Sequence, residues 1–391
     1  MLYNNENTME LINLGNIPLA NNLKSSKEES LNSTKYPLRI ITQENLCFHL
    51  DTIVDPTEMF VDYLYRSSIN VPYIHHAKKM WHDIKNLVDL NFEKINIVDI
   101  GGNDGTLLRT FKSEINSTLT HIKYINVDPS RSFIEDNQKD GINYIQCFWG
   151  DVILPEKANI IISTNVFQHN SDVHKFLKGI QDNLDGIWVL EFPYLLQTLK
   201  TNQFDQIYHE HYFYWLITPL EKLFTQYGLN IVDITEHDIH GGTIRMVMTN
   251  KKVTTSNICE KYKNKEKNLN YEKWKSDIEL KIDKDRNFIL NLKGTIACFG
   301  AAAKGCIYLN VINEICDKIS YIVDDTIEKQ GKYMPGTHLQ IVNRNVLYND
   351  QPDYLIILAH NFKKHIIDSL IDNYNGTIIV MLPEIEIYKG K

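Results

Sequence analysis

Alternating apolar and polar segments predict a strand–helix–strand order in the middle of the chain. A mostly apolar run over Ile95–Ile100 stops at Gly101 and Gly102, and a helix is expected to begin near Thr106. Short apolar runs bounded by turn residues are typical of buried strands, and helices between successive strands favour a mostly parallel sheet. The strands expected in this first system are 95–100, 122–127, 159–163 and 186–190.

The same order returns after a long charged segment. Lys and Glu abound over 256–292, whereas Trp274, Ile278 and Ile282 recur at helical spacing, which predicts a connecting helix. A second strand–turn–helix system follows and gives a second doubly wound unit. Its expected strands are 295–299, Ile319–Val323, 354–358 and Thr377–Val380, and its first turn is 300–305.

Residues 1–75 contain neither pattern. Pro18, Pro37 and Pro56 interrupt short extended runs there, so we expect a small, irregular N-terminal module. The predicted fold class is α/β, with two Rossmann-like doubly wound domains and this small module. The predicted domains are 1–75, 76–250 and 251–391, and a length of 391 residues agrees with more than one core.

Composition and charge exclude several classes of protein. Hydrophobic residues make up 43% of the chain, which is enough for packed cores, and the net charge of -8 gives no basic field for nucleic acid. The six cysteines include no Cys-x-x-Cys pair, so we expect reduced thiols. No uncharged apolar run approaches the roughly 18 residues of a membrane span, and the start lacks signal-peptide features. We expect a cytoplasmic protein without membrane or nucleic-acid partners.

The turn over 99–105 predicts a nucleoside-containing ligand. It follows a strand and precedes a helix, so its glycines let a ligand approach backbone N–H groups. A tight turn alone would also explain the glycines. However, Asp128 stands at the end of the next strand, where a carboxylate can accept hydrogen bonds from the hydroxyl groups of a ribose. The spacing Asp-x-Gly-x-x-x-Gly resembles motif I of S-adenosylmethionine (SAM) methyltransferases. The predicted SAM-binding residues are Asp99, Gly101, Gly102, Asn103, Asp104, Gly105, Asp128, Pro129 and Asn165.

The densest polar and aromatic cluster of the chain spans 204–214. Within it, His209 and His211 flank Glu210. Two histidines two residues apart can bind a metal from one strand face, although no third ligand is evident, and a satisfied buried patch is equally open. The loops after the fourth and fifth strands should border the same ligand, because parallel sheets place ligands at their carboxyl ends. Downstream, a Gly-Gly turn brings Arg245 within reach of an anion.

Together these segments resemble the SAM-dependent C-methyltransferases of nucleotide-linked deoxysugars, such as the C-3 enzymes of mycarose and tetronitrose pathways. Order and spacing agree with that family throughout most of the chain, which makes chance agreement implausible. The matching segments are 14–21, 59–68, 99–105, 128–129, 204–212, 240–245, 299–305, 323–325, 329–338, 352–353 and 359–362.

The resemblance implies an N-terminal zinc module, a central SAM-binding domain and a C-terminal domain that helps to hold a nucleotide-diphosphate sugar. By similarity, Lys304 would meet the diphosphate beside a helix N-terminus, although packing alone would also explain the small residues of that turn. A dTDP-linked sugar is one candidate substrate. The residues assigned to the sugar nucleotide are His209, Arg245, Gly300, Ala301, Lys304 and His338.

The zinc module is where this sequence departs from the family. The family uses two Cys-x-x-Cys knuckles, but residues 1–13 contain no cysteine and the second expected knuckle reads Thr-Gln-Glu-Asn over 42–45. Structural zinc takes four Cys or His ligands, and Cys47 with His49 cannot supply them. We therefore expect a degenerate module without zinc.

The expected reaction is methylation of C3 beside a C4 ketone, through an enolate. Removal of the C3 proton needs a base, and the enolate oxygen needs hydrogen-bond donors. His211 is the expected base, with Glu210 orienting or polarising its surroundings. The alternatives are methylation at another position or on another nucleotide carrier, or a non-catalytic relative that binds a nucleotide sugar. A dehydrogenase would need the Gly-x-Gly-x-x-Gly pattern of dinucleotide binding, which neither turn has. The remaining expected catalytic residues are Tyr208, His169, Tyr63 and Tyr65.

Overall fold

A computed structural model describes residues 8–43, 47–60, 66–69, 71–88, 94–115, 121–253 and 257–390. The strands in these ranges form three sheets of four, seven and six strands. None of the helices in these ranges combines the length and apolarity that a membrane crossing requires. The domain boundaries at 75 and 250 stay predictions, but each sheet falls mainly within one of the three predicted parts.

The N-terminal part is an antiparallel sheet, so the expectation of an irregular module was wrong. Strand β1 (Met9–Pro18) pairs with β2 (Lys35–Gln43), and β2 pairs with β3 (Cys47–Leu50). The register of β1 shifts between Glu10 and Ile12 and again between Asn13 and Asn16. These irregularities break the two-residue alternation by which a strand is recognised in a sequence. The elements are β1 (Met9–Pro18), α1 (Lys27–Leu31), β2 (Lys35–Gln43), β3 (Cys47–Leu50) and α2 (Pro56–Phe60).

The central part has the predicted alternation of strands and helices. The strand Ile95–Ile100 and the start of the following helix at Thr106 lie where the sequence predicts them. The elements are α3 (Val71–Ile84), β4 (Ile95–Ile100), α4 (Thr106–Glu114), β5 (Ile122–Asp128), α5 (Ile134–Lys139), β6 (Asn143–Gln146), β7 (Ala158–Thr164), α6 (Val173–Asn183), β8 (Leu184–Pro193), α7 (Leu195–Lys200), β9 (Phe213–Tyr214), α8 (Ile217–Gln226), β10 (Asn230–His237) and β11 (Thr243–Thr249).

The topology of the central sheet decides where a ligand can bind. The strand order is β10-β11-β8-β7-β4-β5-β6. The five strands β8, β7, β4, β5 and β6 are parallel, and β11 is antiparallel to β8. The order reverses beside β4, so the crevice at the carboxyl ends of β4 and β7 is the expected ligand site. Strand β9 leaves this sheet and pairs with β3 of the N-terminal sheet.

The charged segment before the C-terminal part forms two helices, α9 (Ile258–Glu266) and α10 (Tyr271–Asn291), where the sequence predicted one. The second helix starts at an N-cap, because the side chain of Asn270 accepts a hydrogen bond from the backbone N–H of Lys273. The apolar residues that predicted the helix, Trp274, Ile278 and Ile282, all lie in α10, so their spacing did not reveal the break before it.

The C-terminal part is the second doubly wound unit. Its strand order is β14-β13-β12-β15-β16-β17, parallel except for the last pair. The first turn again lies between a strand and a helix at the carboxyl edge of the sheet. The elements are β12 (Ile296–Phe299), α11 (Ala303–Val311), β13 (Ile319–Val323), β14 (Ile341–Val342), α12 (Arg344–Asp350), β15 (Tyr354–Ile357), α13 (Lys363–Leu370), β16 (Thr377–Val380) and β17 (Glu386–Lys389).

Glu266, at the end of α9, fixes the start of α8. Its buried carboxylate accepts hydrogen bonds from the backbone N–H groups of Ile217 (2.7 Å) and Thr218 (2.9 Å) and from the hydroxyl of Tyr194 (2.5 Å). The first N–H groups of a helix have no partner within the helix, so this carboxylate supplies one.

We predict that Glu266→Gln lowers the free energy of unfolding by about 2 kcal/mol, because a neutral amide leaves buried N–H donors poorly satisfied. Calorimetric melting measures the change. The control is Glu272→Gln at an exposed position in α10, where we expect a change below about 0.5 kcal/mol. Equal melting temperatures for the two variants would contradict this role of Glu266.

Candidate active site

A cavity of about 410 Å³ lies where the three sheets approach one another. Its walls come from the segment after β1, the start of α3, the carboxyl ends of β4 and β7, the loop before β9 and the first turn of the C-terminal unit. Sequence-predicted residues from four of these elements line it together. They are Gly101, Gly102, Asn103, Asn165, His169, Tyr208, Glu210, His211, Gly300 and Lys304.

The turn after β4, residues 101–103, forms one wall with its backbone. Gly101 has φ +64°, and a Cβ there would lie 2.5 Å from Cγ2 of Val166. A Cβ on Gly102 would lie 2.6 Å from the side-chain oxygen of Asn126 and 2.7 Å from a carboxyl oxygen of Asp99. Only glycine fits these two positions, so a ligand can approach the main chain closely here. We call residues 101–103 the donor turn.

The acidic residues around the donor turn lie behind it. The carboxylate of Asp128 accepts hydrogen bonds from the backbone N–H groups of Asn103 (2.9 Å) and Ser130 (2.8 Å). Burial, followed by the charge of Asp128, raises the pKa of Asp99 well above its usual value. Asp128 therefore supports the turn, whereas the carboxyl oxygens of Asp99 have no hydrogen-bond partner among the described residues. Five residues predicted to bind SAM do not line the cavity: Asp99, Asp104, Gly105, Asp128 and Pro129.

Two imidazoles are held in a defined tautomer near the opposite wall. Nδ1 of His211 lies 3.0 Å from the carbonyl oxygen of Gln206, and Nδ1 of His169 lies 2.6 Å from that of Glu210. A carbonyl only accepts, so both Nδ1 atoms carry the proton and each neutral ring has its lone pair on Nε2. Burial lowers the pKa of His169 to about 4, and burial and then His169 hold the pKa of His211 well below its usual value. Both rings are neutral at cellular pH.

Glu210 is the acidic group of this wall. The amide of Asn21 donates to both carboxylate oxygens, each at 2.9 Å. Burial raises the pKa of Glu210 to about 7, and the bonds from Asn21 oppose that rise. The carboxylate therefore titrates within the physiological range. Asn21 was not predicted as a site residue; its only sequence signal was its place in a segment that resembles the family.

The C-terminal unit contributes a basic wall. The ammonium group of Lys304 donates to the carbonyl oxygen of His240 (3.0 Å), and burial lowers its pKa to about 8. Gly300 lines the cavity as predicted, whereas Ala301 lies behind it and donates its N–H to Asp324 (2.8 Å). Lys329 also lines the cavity and was not predicted; its only sequence signal was its place in the segment 329–338, which resembles the family.

Besides Ala301, three residues assigned to the sugar nucleotide do not line the cavity. The guanidinium of Arg245 binds the carboxylates of Glu191 and Asp83 and is 2% exposed. The ring of His209 is buried against Tyr36. His338 lies beside Asp317, outside the lining. The assignment of these three residues to the sugar nucleotide is therefore corrected. Arg245 pairs with distant carboxylates, and the loop directs His209 away from the cavity that His211 lines.

Two predicted catalytic residues, Tyr63 and Tyr65, fall outside the described residues. The ranges that the structure does describe contain no group of three or more His, Cys, Asp or Glu side chains arranged to hold a metal. His211 lines the cavity and His209 does not. The His-x-His spacing therefore does not present two imidazoles to one ligand.

Comparison with known proteins places both units in the same class of enzyme. The model of the methyltransferase domain matches residues 73–234, and that of the C-methyltransferase C-terminal domain matches residues 238–383. The chain is 28% identical over 405 aligned residues to the C-methyltransferase NovU of Streptomyces niveus, covering 96% of this chain and 93% of that protein.

The chain is a SAM-dependent methyltransferase whose C-terminal part is similar to the C-methyltransferase C-terminal domain. Solved structures similar to part of the methyltransferase include magnesium protoporphyrin IX methyltransferase of Synechocystis PCC 6803 with bound S-adenosylhomocysteine (12% identity, TM-score 0.37, 48% of this chain and 89% of that one). Another is a SAM-dependent methyltransferase of Clostridium acetobutylicum (11% identity, TM-score 0.37, 46% and 93%).

The residues of the donor turn fit SAM. Gly101 and Gly102, where a Cβ would clash with neighbouring side chains, give a ligand direct access to the main chain, and the N-terminus of α4 follows the turn. Asn165, with φ +55°, and Asn103 place polar side chains on the same wall. We infer that Gly101, Gly102, Asn103 and Asn165 hold the cofactor.

We predict that Gly101→Ala raises the dissociation constant for S-adenosylhomocysteine at least about 10-fold, because the added methyl group displaces Val166 into the cavity. Isothermal titration calorimetry measures the constant. Gly228→Ala is the matched control: φ is +69° there, and a Cβ would meet no heavy atom within 4 Å. Both variants carry the same backbone strain, so equal affinities would contradict the proposed contact.

Proposed function

We propose that the methyltransferase methylates a carbon atom, C3, of a nucleotide-linked 4-keto-deoxysugar through an enolate. One observation carries the proposal: the donor turn, the loop with Tyr208, Glu210 and His211, and Lys304 of the C-terminal unit all face one cavity. The wall of neutral imidazoles suits proton transfer, and the basic wall suits a diphosphate. SAM, when bound, supplies a methyl group that a carbon nucleophile can accept.

The loop supplies the proton acceptor. With its Nδ1 proton held by the carbonyl of Gln206, His211 offers the Nε2 lone pair, and we assign removal of the C3 proton to this atom. Glu210 lines the same cavity, and its charge stabilises the imidazolium that forms, since charges interact strongly in a buried site. A carboxylate whose pKa is about 7 could also accept the proton itself. Proton exchange in His211→Asn and Glu210→Gln distinguishes the two.

Tyr208 is placed to stabilise the enolate oxygen. Its ring lies 3.9 Å from the ring of His211, centroid to centroid, and it lines the cavity. A phenol donates a hydrogen bond without carrying a charge, so it binds an oxyanion more strongly than a ketone. His169, on the other side of His211 at 4.9 Å, narrows the space around the reacting carbon and excludes water.

The basic wall would hold the diphosphate. The ammonium group of Lys304 donates to the carbonyl oxygen of His240 and interacts with the buried carboxylate of Asp205. That of Lys329 donates to the carbonyl oxygen of Ala301 (2.9 Å) and lies 3.6 Å from a carboxylate oxygen of Asp324. The N-terminus of α11 begins beside them at Ala303. Phosphate oxygens suit such a combination of ammonium groups and free backbone N–H donors.

Incubation with SAM labelled in its methyl group and a panel of nucleotide-linked 4-ketosugars tests the proposal. We expect mass spectrometry to find one label per sugar, retained through mild acid and base, and NMR to place it on C3. The same sugars reduced at C4 are the control and should accept no label, because they cannot form the enolate. Transfer only to oxygen or nitrogen, or equal transfer to the reduced sugars, would contradict the enolate mechanism.

We predict that wild-type enzyme exchanges the C3 proton with deuterated solvent and that His211→Asn lowers this rate about 100-fold or more. The exchange rate should rise with pH through about 7 as Glu210 ionises, since a raised pKa keeps the carboxyl neutral below that value. NMR of the recovered substrate measures both effects.

Glu210→Gln is the control for the pH dependence. It should remove the rise near pH 7 but retain part of the exchange. If Glu210→Gln abolishes exchange and His211→Asn leaves it intact in a folded protein, Glu210 is the base and the assignment of His211 is wrong.

A further inference from the structure

A buried cluster of charged side chains lies next to the cavity but does not line it. Arg245 of β11 and Glu191 of β8 are directly paired across the two antiparallel strands, so their side chains share one face of the sheet. Nε of Arg245 donates to Glu191 at 2.5 Å, and both side chains are about 2% exposed. Nε2 of His76, on α3, lies 2.9 and 3.0 Å from the two carboxylate oxygens of Glu191. We call Arg245, Glu191 and His76 the anchor triad.

Stability alone does not explain the anchor triad. Removing charges from water costs several kcal/mol per ion, and apolar residues of similar volume are often as stabilising as a buried ion pair. What a buried pair adds is a defined geometry, since only one arrangement satisfies all its hydrogen bonds. The anchor triad is therefore expected to fix the position of one part of the molecule.

The geometry fixes α3 against the carboxyl edge of the sheet. His76 joins the helix to Glu191, and Nη1 of Arg245 reaches Asp83, two turns further along α3, at 2.8 Å. The first residues of the same helix, 71–73, line the cavity. A shift of α3 would therefore move a wall of the cavity directly.

The same triad also fixes the residues beside the donor turn. The backbone carbonyl of Glu191 accepts the N–H of Asn165 at 2.9 Å, and Asn165 lines the cavity. On the helix side, the hydroxyl of Tyr73 lies 3.0 Å from that of Thr164. Glu191 thus holds Asn165 through its main chain and α3 through its carboxylate.

The segment that precedes α3 closes over the donor turn. The backbone N–H of Ser67 donates to the side chain of Asn103 at 3.1 Å, and that of Ser68 donates to Asp104 at 3.0 Å. The position of this segment depends on the helix that follows it. Displacing α3 would weaken these contacts at the cofactor side of the cavity.

We propose that Arg245, Glu191 and His76 are positioning residues for the cofactor: they hold α3 so that the start of the helix and the preceding segment complete the SAM site. They touch neither the cavity nor the reacting atoms, so they act through Tyr73, Asn165 and the donor turn. This role holds whatever methyl acceptor the enzyme uses, so it is tested with S-adenosylhomocysteine alone.

The test replaces the ion pair by apolar residues in the double variant Glu191→Leu/Arg245→Met. We expect thermal stability near that of the wild type, because the buried charges are removed together. The dissociation constant for S-adenosylhomocysteine should rise about 10-fold or more, since the binding-competent position of α3 is populated only in part. In turnover assays the KM for SAM should rise more than kcat falls.

The matched control is Lys281→Met/Asp285→Leu. This pair is equally buried, at 6% and 0% side-chain exposure, but it joins α10 to the C-terminal unit. The same loss of a buried ion pair should leave the affinity for S-adenosylhomocysteine unchanged. A weakening equal to that of the first double variant would mean that any buried pair has this effect and would overturn the proposal.

Arg245→Lys tests the assignment if the double variant does not fold. Lysine keeps one charge beside Glu191 but cannot bridge to Asp83 with a second donor. We expect an intermediate rise in the dissociation constant, about 3-fold or more, without loss of the folded state. Wild-type affinity in a folded double variant, or in folded Arg245→Lys if the double variant does not fold, would show that the triad does not position the cofactor site.

Discussion

The loop from Phe204 to Tyr212 is a polar segment buried among three parts of the chain, and its need for hydrogen-bond partners fixes how those parts meet. Tyr212 accepts the N–H of Leu50 (2.9 Å) and donates its hydroxyl to Val54 (2.6 Å) in the N-terminal part. Asp205 binds His360 of the C-terminal unit at 2.8 Å. Unpartnered polar groups are costly in a buried site. The loop is therefore held in one position, and that position faces the donor turn.

Burial also sets the charge of the site. It lowers the pKa of His169, His211 and Lys304 and raises that of Glu210. Neutral imidazoles with their lone pairs on Nε2 are suited to accept a proton, and a lysine with a pKa of about 8 gains charge stabilisation when an anion binds beside it. Without ligands the two imidazoles of the cavity are therefore neutral, and the diphosphate of the proposed substrate would favour the charged form of Lys304.

Local features of the fold followed from the sequence, whereas pairings between distant residues did not. Strand Ile95–Ile100 and the turn after it were predicted to the residue, because a buried strand and a glycine turn are encoded by neighbouring positions. Arg245 was assigned to a substrate, because its partner Glu191 is 54 residues away in the chain. The strand β1 was missed because its irregular register hides the alternation. The pairing of His360 with Asp205, 155 residues away, was not predicted either, because no local pattern indicates it.

The central claim is that one cavity, closed by all three parts of the chain, holds the methyl donor and its acceptor together. A crystal structure of the enzyme with S-adenosylhomocysteine and a nucleotide-linked 4-ketosugar tests it most directly. We predict the cofactor on residues 101–103, the diphosphate beside Lys304, and C3 of the sugar between the cofactor sulfur and His211. Cofactor and sugar bound in separate places, or C3 turned away from the Tyr208–His211 loop, would contradict the account.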